Sequence, residues 1–130
     1  MNKPAAVTPG LLLFAHGARD ANWALPFNEV ARLVRVQRPD LSVELAFLEF
    51  MSPTLAEAGA RLAAVGCMQV TVVPLFLGAG GHVRKDLPAL LAALAEAHPK
   101  VTWALQPAIG EIDSVIQAMA TAALQLSPPR

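Results

Sequence analysis

The chain is short of several things, and each shortage removes a class of answer. It has one cysteine, Cys67, so an internal disulfide cannot form. No run reaches the eighteen or so apolar residues that a membrane-spanning helix needs. The N-terminal segment carries one lysine, a proline and a short apolar run ending at His16, Arg19 and Asp20, too short and too soon charged for a signal peptide. Ten basic residues balance ten acidic ones, which leaves no broad positive field to hold nucleic acid. GAGGHV at 78–83 has valine where a G-x-G-x-x-G loop needs its last glycine, and no G-K-[ST] follows it, so no nucleotide cofactor is expected. A G-x-S-x-G elbow is missing, and Ser42, Ser52, Ser114 and Ser127 are not at suitable strand-to-helix turns. HGARD at 16–20 has Ala15 where a phosphoryl-transfer histidine would have an arginine to hold phosphate. A soluble, cytoplasmic chain with neither nucleic-acid nor membrane partners is expected.

What is present is apolar. Hydrophobic residues make up 55% of the 130 and charged ones only 15%, against roughly 45–50% (glycine included) and 25% in an average soluble domain. A sheet buried on both faces uses part of that excess, and an apolar cleft or oligomer interface uses more. LLLFA (11–15), VELAFL (43–48), QVTVVPLFL (69–77) and VTWAL (101–105) are strand-length and lack strict alternation, as strands covered on both faces do. Four helical patterns follow them. Phe27, Val30, Ala31 and Val34 form the first; Leu55, Ala58 and Leu62 the second, with Ser52 and Pro53 suited to its N-cap and first position and Gly66 to its end. Leu87, Leu90, Leu91 and Leu94 form the third, with Asp86 as a cap; Ile112, Val115, Ile116 and Met119 form the fourth. This order predicts an α/β fold, an open, mostly parallel four-stranded sheet with helices on both faces. One domain over 1–130 is expected, its core at about 10–126 and flexible tails at 1–9 and 127–130. Pro74 argues against a strand locally, because it lacks a ladder donor.

Ligands of such sheets sit outside the carboxyl ends of the strands. His16 follows the first strand, Glu49 the second, GAGGHV the third and QPAIGE the fourth. His16, Glu49 and His82 would converge on one rim, and two imidazoles with a carboxylate suit a divalent first-row metal while leaving positions open for substrate. Taken singly, each histidine is also readable as a hydrogen-bonded structural residue, Glu49 as a solvated strand end and the glycines as a plain loop. His98, at the end of the third helix, reads as structural, and Cys67, at the other end of the sheet, as a small packing residue.

HGAR, VELAFLEFMSPTLAEA, VTVVPLFLGAGGHVRKDLP and QPAIGE, in that order across about 11–120, resemble the short form of the CbiX/SirB sirohydrochlorin chelatase family. The resemblance implies a chelatase-like, flavodoxin-like three-layer sandwich and a lyase that inserts a divalent metal into a tetrapyrrole without a nucleotide. Co²⁺ is the first expectation, with Fe²⁺ or Ni²⁺ open, and so is the choice between cobalamin and sirohaem biosynthesis. It puts the metal ligands and catalytic groups on His16, His82 and Glu49, and it implies a homodimer. Gly78, Gly80 and Gly81 would give a flat macrocycle room against the backbone, and Arg19 and Arg84, with Lys85, would meet its carboxylates. Ala18 stands where the family's H-G-S-R motif has serine, so that hydroxyl is missing. A non-catalytic metal or tetrapyrrole carrier on the same fold is the alternative, and a structural α/β domain a third.

Overall fold

The computed structural model describes residues 8–78 and 80–129, and only the backbone of Gly81, His82 and Arg84. Its elements are β1 (Pro9–Ala15), α1 (Leu25–Gln37), β2 (Ser42–Phe47), α2 (Leu55–Ala64), β3 (Gln69–Pro74), α3 (Gly81–Ala97), β4 (Thr102–Leu105) and α4 (Asp113–Leu126). Short 3-10 turns at Ala21–Ala24 and Ile109–Glu111 precede α1 and α4. The strands form one fully parallel sheet in the order β2-β1-β3-β4. Chain direction across the sheet reverses between β1 and β3, the switch point at which such folds open a crevice.

The central strands sort their side chains by the period of two that a pleated strand imposes. Leu12, Phe14, Val70 and Val72 pack with Leu55, Ala58 and Leu62 of α2 and Leu87 and Leu94 of α3. Leu13, Ala15, Val43, Leu45 and Phe47 face the other way, onto Ala31 and, less deeply, Phe27 and Val34 of α1. Helices therefore cover both faces of β1, as the apolar run LLLFA implies. β1 starts two residues earlier than that run, at Pro9; the rest of the expected N-terminal tail, 1–7, lies outside the described residues.

Pro74 ends β3 without losing a bond. Leu75 N–H donates to Phe14 O at 2.8 Å, so the neighbouring Pro74 nitrogen points toward β4, whose pairing has already stopped at Val72 with Leu105. Leu75 to Leu77 then leave the strand, which makes it shorter than the expected 69–77.

Two helix starts and one edge differ from expectation. Thr54, not Ser52, caps α2: its hydroxyl accepts from Glu57 N–H at 3.2 Å while the Glu57 carboxylate accepts from Thr54 N–H at 2.9 Å. This reciprocal box satisfies two otherwise orphaned donors, and Ser52-Pro53 lies before it. The third helix begins at Gly81 after an extended Gly80, leaving Asp86 and Pro88 inside it, because the apolar spacing continues upstream through Val83. β4 is covered on one face only, by contacts of Trp103, while Thr102 and Ala104 are exposed. α4 contributes no fully buried residue: Val115 is half-buried, while Ile116 and Met119 of its apolar stripe stay exposed.

Candidate active site

Parallel pairing of β1 with β2 runs two residues past the strands: Leu48 N–H donates to Ala15 O at 2.9 Å and Glu49 N–H to His16 O at 3.1 Å. The backbone thus sets His16 and Glu49 side by side at the carboxyl rim. Their side chains meet, His16 Nε2 and Glu49 Oε1 lying 2.9 Å apart, each about half exposed (47% and 49%). An ionised carboxylate can only accept, so Nε2 carries the proton of this bond and Nδ1 of a neutral ring keeps its lone pair. In the open such a pair adds little to stability. Its value is orientation of the imidazole.

Two further contacts hold the pair. Phe76, buried between the sheet and α3, places its ring 6.1 Å from the His16 ring, edge to face, and 6.0 Å from Phe14. Gly17 has φ +94°, and a Cβ there would lie 1.9 Å from the Glu49 carbonyl oxygen, so only glycine lets the two loops cross. Farther along the rim, a Cβ on Gly110 would lie 1.8 Å from Leu77 O, and Gly110 N–H donates to Phe76 O at 2.9 Å. The QPAIGE segment is thereby fastened to the end of β3. A hollow of about 210 Å³ opens beside it, lined by Pro74, Leu87, Gln106 and Ala108 among others.

The other expected site residues fall as follows. The Arg19 guanidinium lies 4.8 Å above the ring of Phe50, next to Glu49. Asp20 is a local cap, accepting from Asn22 N–H at 2.9 Å. Gly78 and Gly80 face open space, with no atom within 4 Å of where a Cβ would be. Gly81 and His82 open α3 rather than a loop, so His82 comes from a helix N-terminus beside the switch point; its side chain, like that of Arg84, lies outside the described residues. Lys85 is exposed. Among the described residues no three His, Cys, Asp or Glu side chains cluster as a metal-holding group. His98 caps the end of α3 with its ring 6.0 Å from that of Trp103, and Cys67 is buried. Both line a hollow of about 460 Å³ at the opposite end of the sheet, away from the rim where His16 and Glu49 meet.

Sequence reasoning passed over Phe50, Phe76 and Gly110. Gly110 sits in the quoted QPAIGE, but nothing in that string shows what it packs on. Phe76 was counted as strand. Phe50 has φ +68°, a left-handed backbone for a bulky residue, which leaves no trace in sequence.

A parallel sheet carrying an imidazole–carboxylate pair where β1 and β2 end, with a glycine-led helix start after β3 on the other side of the switch point, has the form of α/β domains that take ligands at the carboxyl rim. The sequence profile of the CbiX family matches residues 10–126. The chain belongs to the CbiX family. It is 34% identical over 88 residues to a sirohydrochlorin cobaltochelatase of Methanosarcina acetivorans, covering 64% of each chain, so the match spans a little under two thirds of that relative's length. A CbiX protein from Marinobacter aquaeolei VT8 superposes with a TM-score of 0.80 at 33% identity, over 90% of this chain and 93% of that one. SirB from Bacillus subtilis with Fe³⁺ superposes with a TM-score of 0.80 at 22% identity, over 95% of this chain and 49% of that one, a likeness of fold.

Proposed function

We infer that the chain is a sirohydrochlorin chelatase, inserting a divalent metal, Co²⁺ first, into the macrocycle. The observation that carries this reading is the His16–Glu49 pair at the rim of a CbiX-family fold whose relative at 34% identity is a cobaltochelatase. Insertion exchanges one M²⁺ for two pyrrole N–H protons, so the site must deliver a cation and take protons. His16 and Glu49 share one proton now, and a cation binding both would displace it. His82, from the start of α3, supplies the second imidazole. Nitrogen and oxygen ligands of this kind accept Co²⁺ and Fe²⁺ alike, and metal supply can outweigh intrinsic affinity in deciding between them. Once the metal has left for the macrocycle, the same imidazoles and carboxylate can accept the pyrrole protons. The open backbone at Gly78 and Gly80 leaves room for a flat ring, and Arg19 meets its carboxylates.

Purified protein incubated with sirohydrochlorin and Co²⁺ or Fe²⁺, followed by absorbance, tests the reading. Catalytic appearance of metallated product supports it; stoichiometric binding without turnover would replace it with a carrier.

The working form in this reading is a homodimer. Ile112, at the N-cap of α4, and Ile116 and Met119 on it are exposed, no residue of α4 is fully buried in its own chain, and the two-fold greater length of the SirB chain supports a second copy of the domain. Sedimentation checks it: a fully active monomer at micromolar concentration would overturn the dimer.

A further inference from the structure

Phe50 is the one described non-glycine residue with positive φ, at +68°, and it is 58% exposed. A bulky side chain in the left-handed region is strained and is tolerated where surrounding structure imposes it. Here the neighbouring backbone does so. Glu49 N–H is bonded to His16 O, Gly17 presses on the Glu49 carbonyl, and Phe47 N–H donates to Pro53 O at 2.9 Å, closing the loop from behind. The result turns an apolar ring outward, beside the His16–Glu49 pair, where it buries little. Burial therefore does not explain the ring, but Arg19 does: its guanidinium carbon lies 4.8 Å from the ring centroid. An arginine over an aromatic face keeps its N–H groups free for a carboxylate while the stack limits where it can point.

The geometry points to Phe50 as a positioning residue that holds the Arg19 guanidinium at the rim as a clamp for a peripheral carboxylate of a planar, polyanionic ligand. This deepens the chelatase reading and rests on it for the ligand class. Phe50 touches neither metal nor reacting atoms; it acts through Arg19. The strained backbone aims the ring, the ring holds the guanidinium, and the guanidinium receives the anion.

The test is a double-mutant cycle on the full chain, read by fluorescence titration with metal-free uroporphyrin, an octacarboxylate tetrapyrrole. Phe50→Gly removes the ring but suits the left-handed backbone, so its unfolding midpoint stays equal to or above that of the wild type. Its Kd for uroporphyrin should rise about two- to fivefold, and Phe50→Tyr should restore it. Arg19→Gln should raise Kd about tenfold or more, and Phe50→Gly should add nothing on top of it. In turnover with sirohydrochlorin, Phe50→Gly should raise KM and leave kcat in place. An unchanged Kd for Phe50→Gly, or effects of the two substitutions that multiply independently, would overturn the clamp while the chelatase reading stands. Wild-type protein that binds uroporphyrin with the expected coupling, yet never metallates sirohydrochlorin, overturns insertion and keeps the clamp. Failure of the wild type to bind uroporphyrin overturns the clamp, and turnover with sirohydrochlorin alone then decides the chelatase reading.

Discussion

The two ends of the sheet order are built differently. On the β2–β1–β3 side, Leu12, Phe14, Ala15, Ala46 and Val72 are fully buried and helices pack on both faces. On the β4–α4 side the strand has one bare face and the helix no buried residue, although Ile112, Ile116 and Met119 recur at helical spacing. Equal hydrophobicity thus serves two purposes. In the first region it holds the chain rigid beneath His16 and Glu49, and in the second it remains available to another surface. The rim chemistry stands on the rigid side, as positioning to a few tenths of an ångström requires.

Substitutions on the two sides should separate accordingly. Phe14→Ala empties a fully enclosed space under Phe76 and His16 and should cost about 3–5 kcal/mol in urea unfolding. Gly17→Ala forces a Cβ onto the Glu49 carbonyl at positive φ and should cost more than about 1 kcal/mol. That loss should come with a drop in metal insertion, since the two loops must part.

Thr54→Ala removes the α2 capping box and should cost about 1 kcal/mol. This effect should depend on pH. The Thr54 backbone N–H, then its hydroxyl, hold the Glu57 carboxyl below its ordinary value of 4.5. A lowered folded value means the box's contribution is present above the ordinary value and lost as pH falls through the lowered one. Thr54→Ala keeps the backbone N–H and loses only the hydroxyl's share, so its gap to wild type should narrow slightly in acid, whereas the gap between wild type and Glu57→Gln should close there; a gap that widens in acid would contradict the assignment.

The smallest change in stability belongs to α4. Ile116→Glu and Met119→Glu should move unfolding of the chain itself by no more than about 0.5 kcal/mol, yet shift sedimentation toward monomer. A cost like that of Phe14→Ala at equal assembly state would erase the contrast between the two regions.

Much of the rigid side was legible in the sequence. The Leu55, Ala58, Leu62 stripe and the apolar run at 11–15 pointed to their buried positions, and the strand ends placed His16 near Glu49, because parallel strands of similar length bring their successors to one rim. Caps were harder. Ser52-Pro53 and Thr54 both resemble helix starts, and only Glu57, three residues after Thr54, separates them. Asp86 failed as a cap because the helix periodicity already ran through Val83. Phe50 was out of reach, since its conformation is imposed by loops that meet only in three dimensions. The α4 stripe was read correctly as apolar, but periodicity reports that a face wants cover and says nothing of which surface supplies it.

The most direct measurement is the initial rate of Co²⁺ insertion into sirohydrochlorin by wild type, His16→Ala and Glu49→Gln, each with its unfolding midpoint checked. The wild type should turn over steadily and His16→Ala should lose about 100-fold or more, with Glu49→Gln between the two. Insertion at the wild-type rate by a folded His16→Ala chain would contradict this.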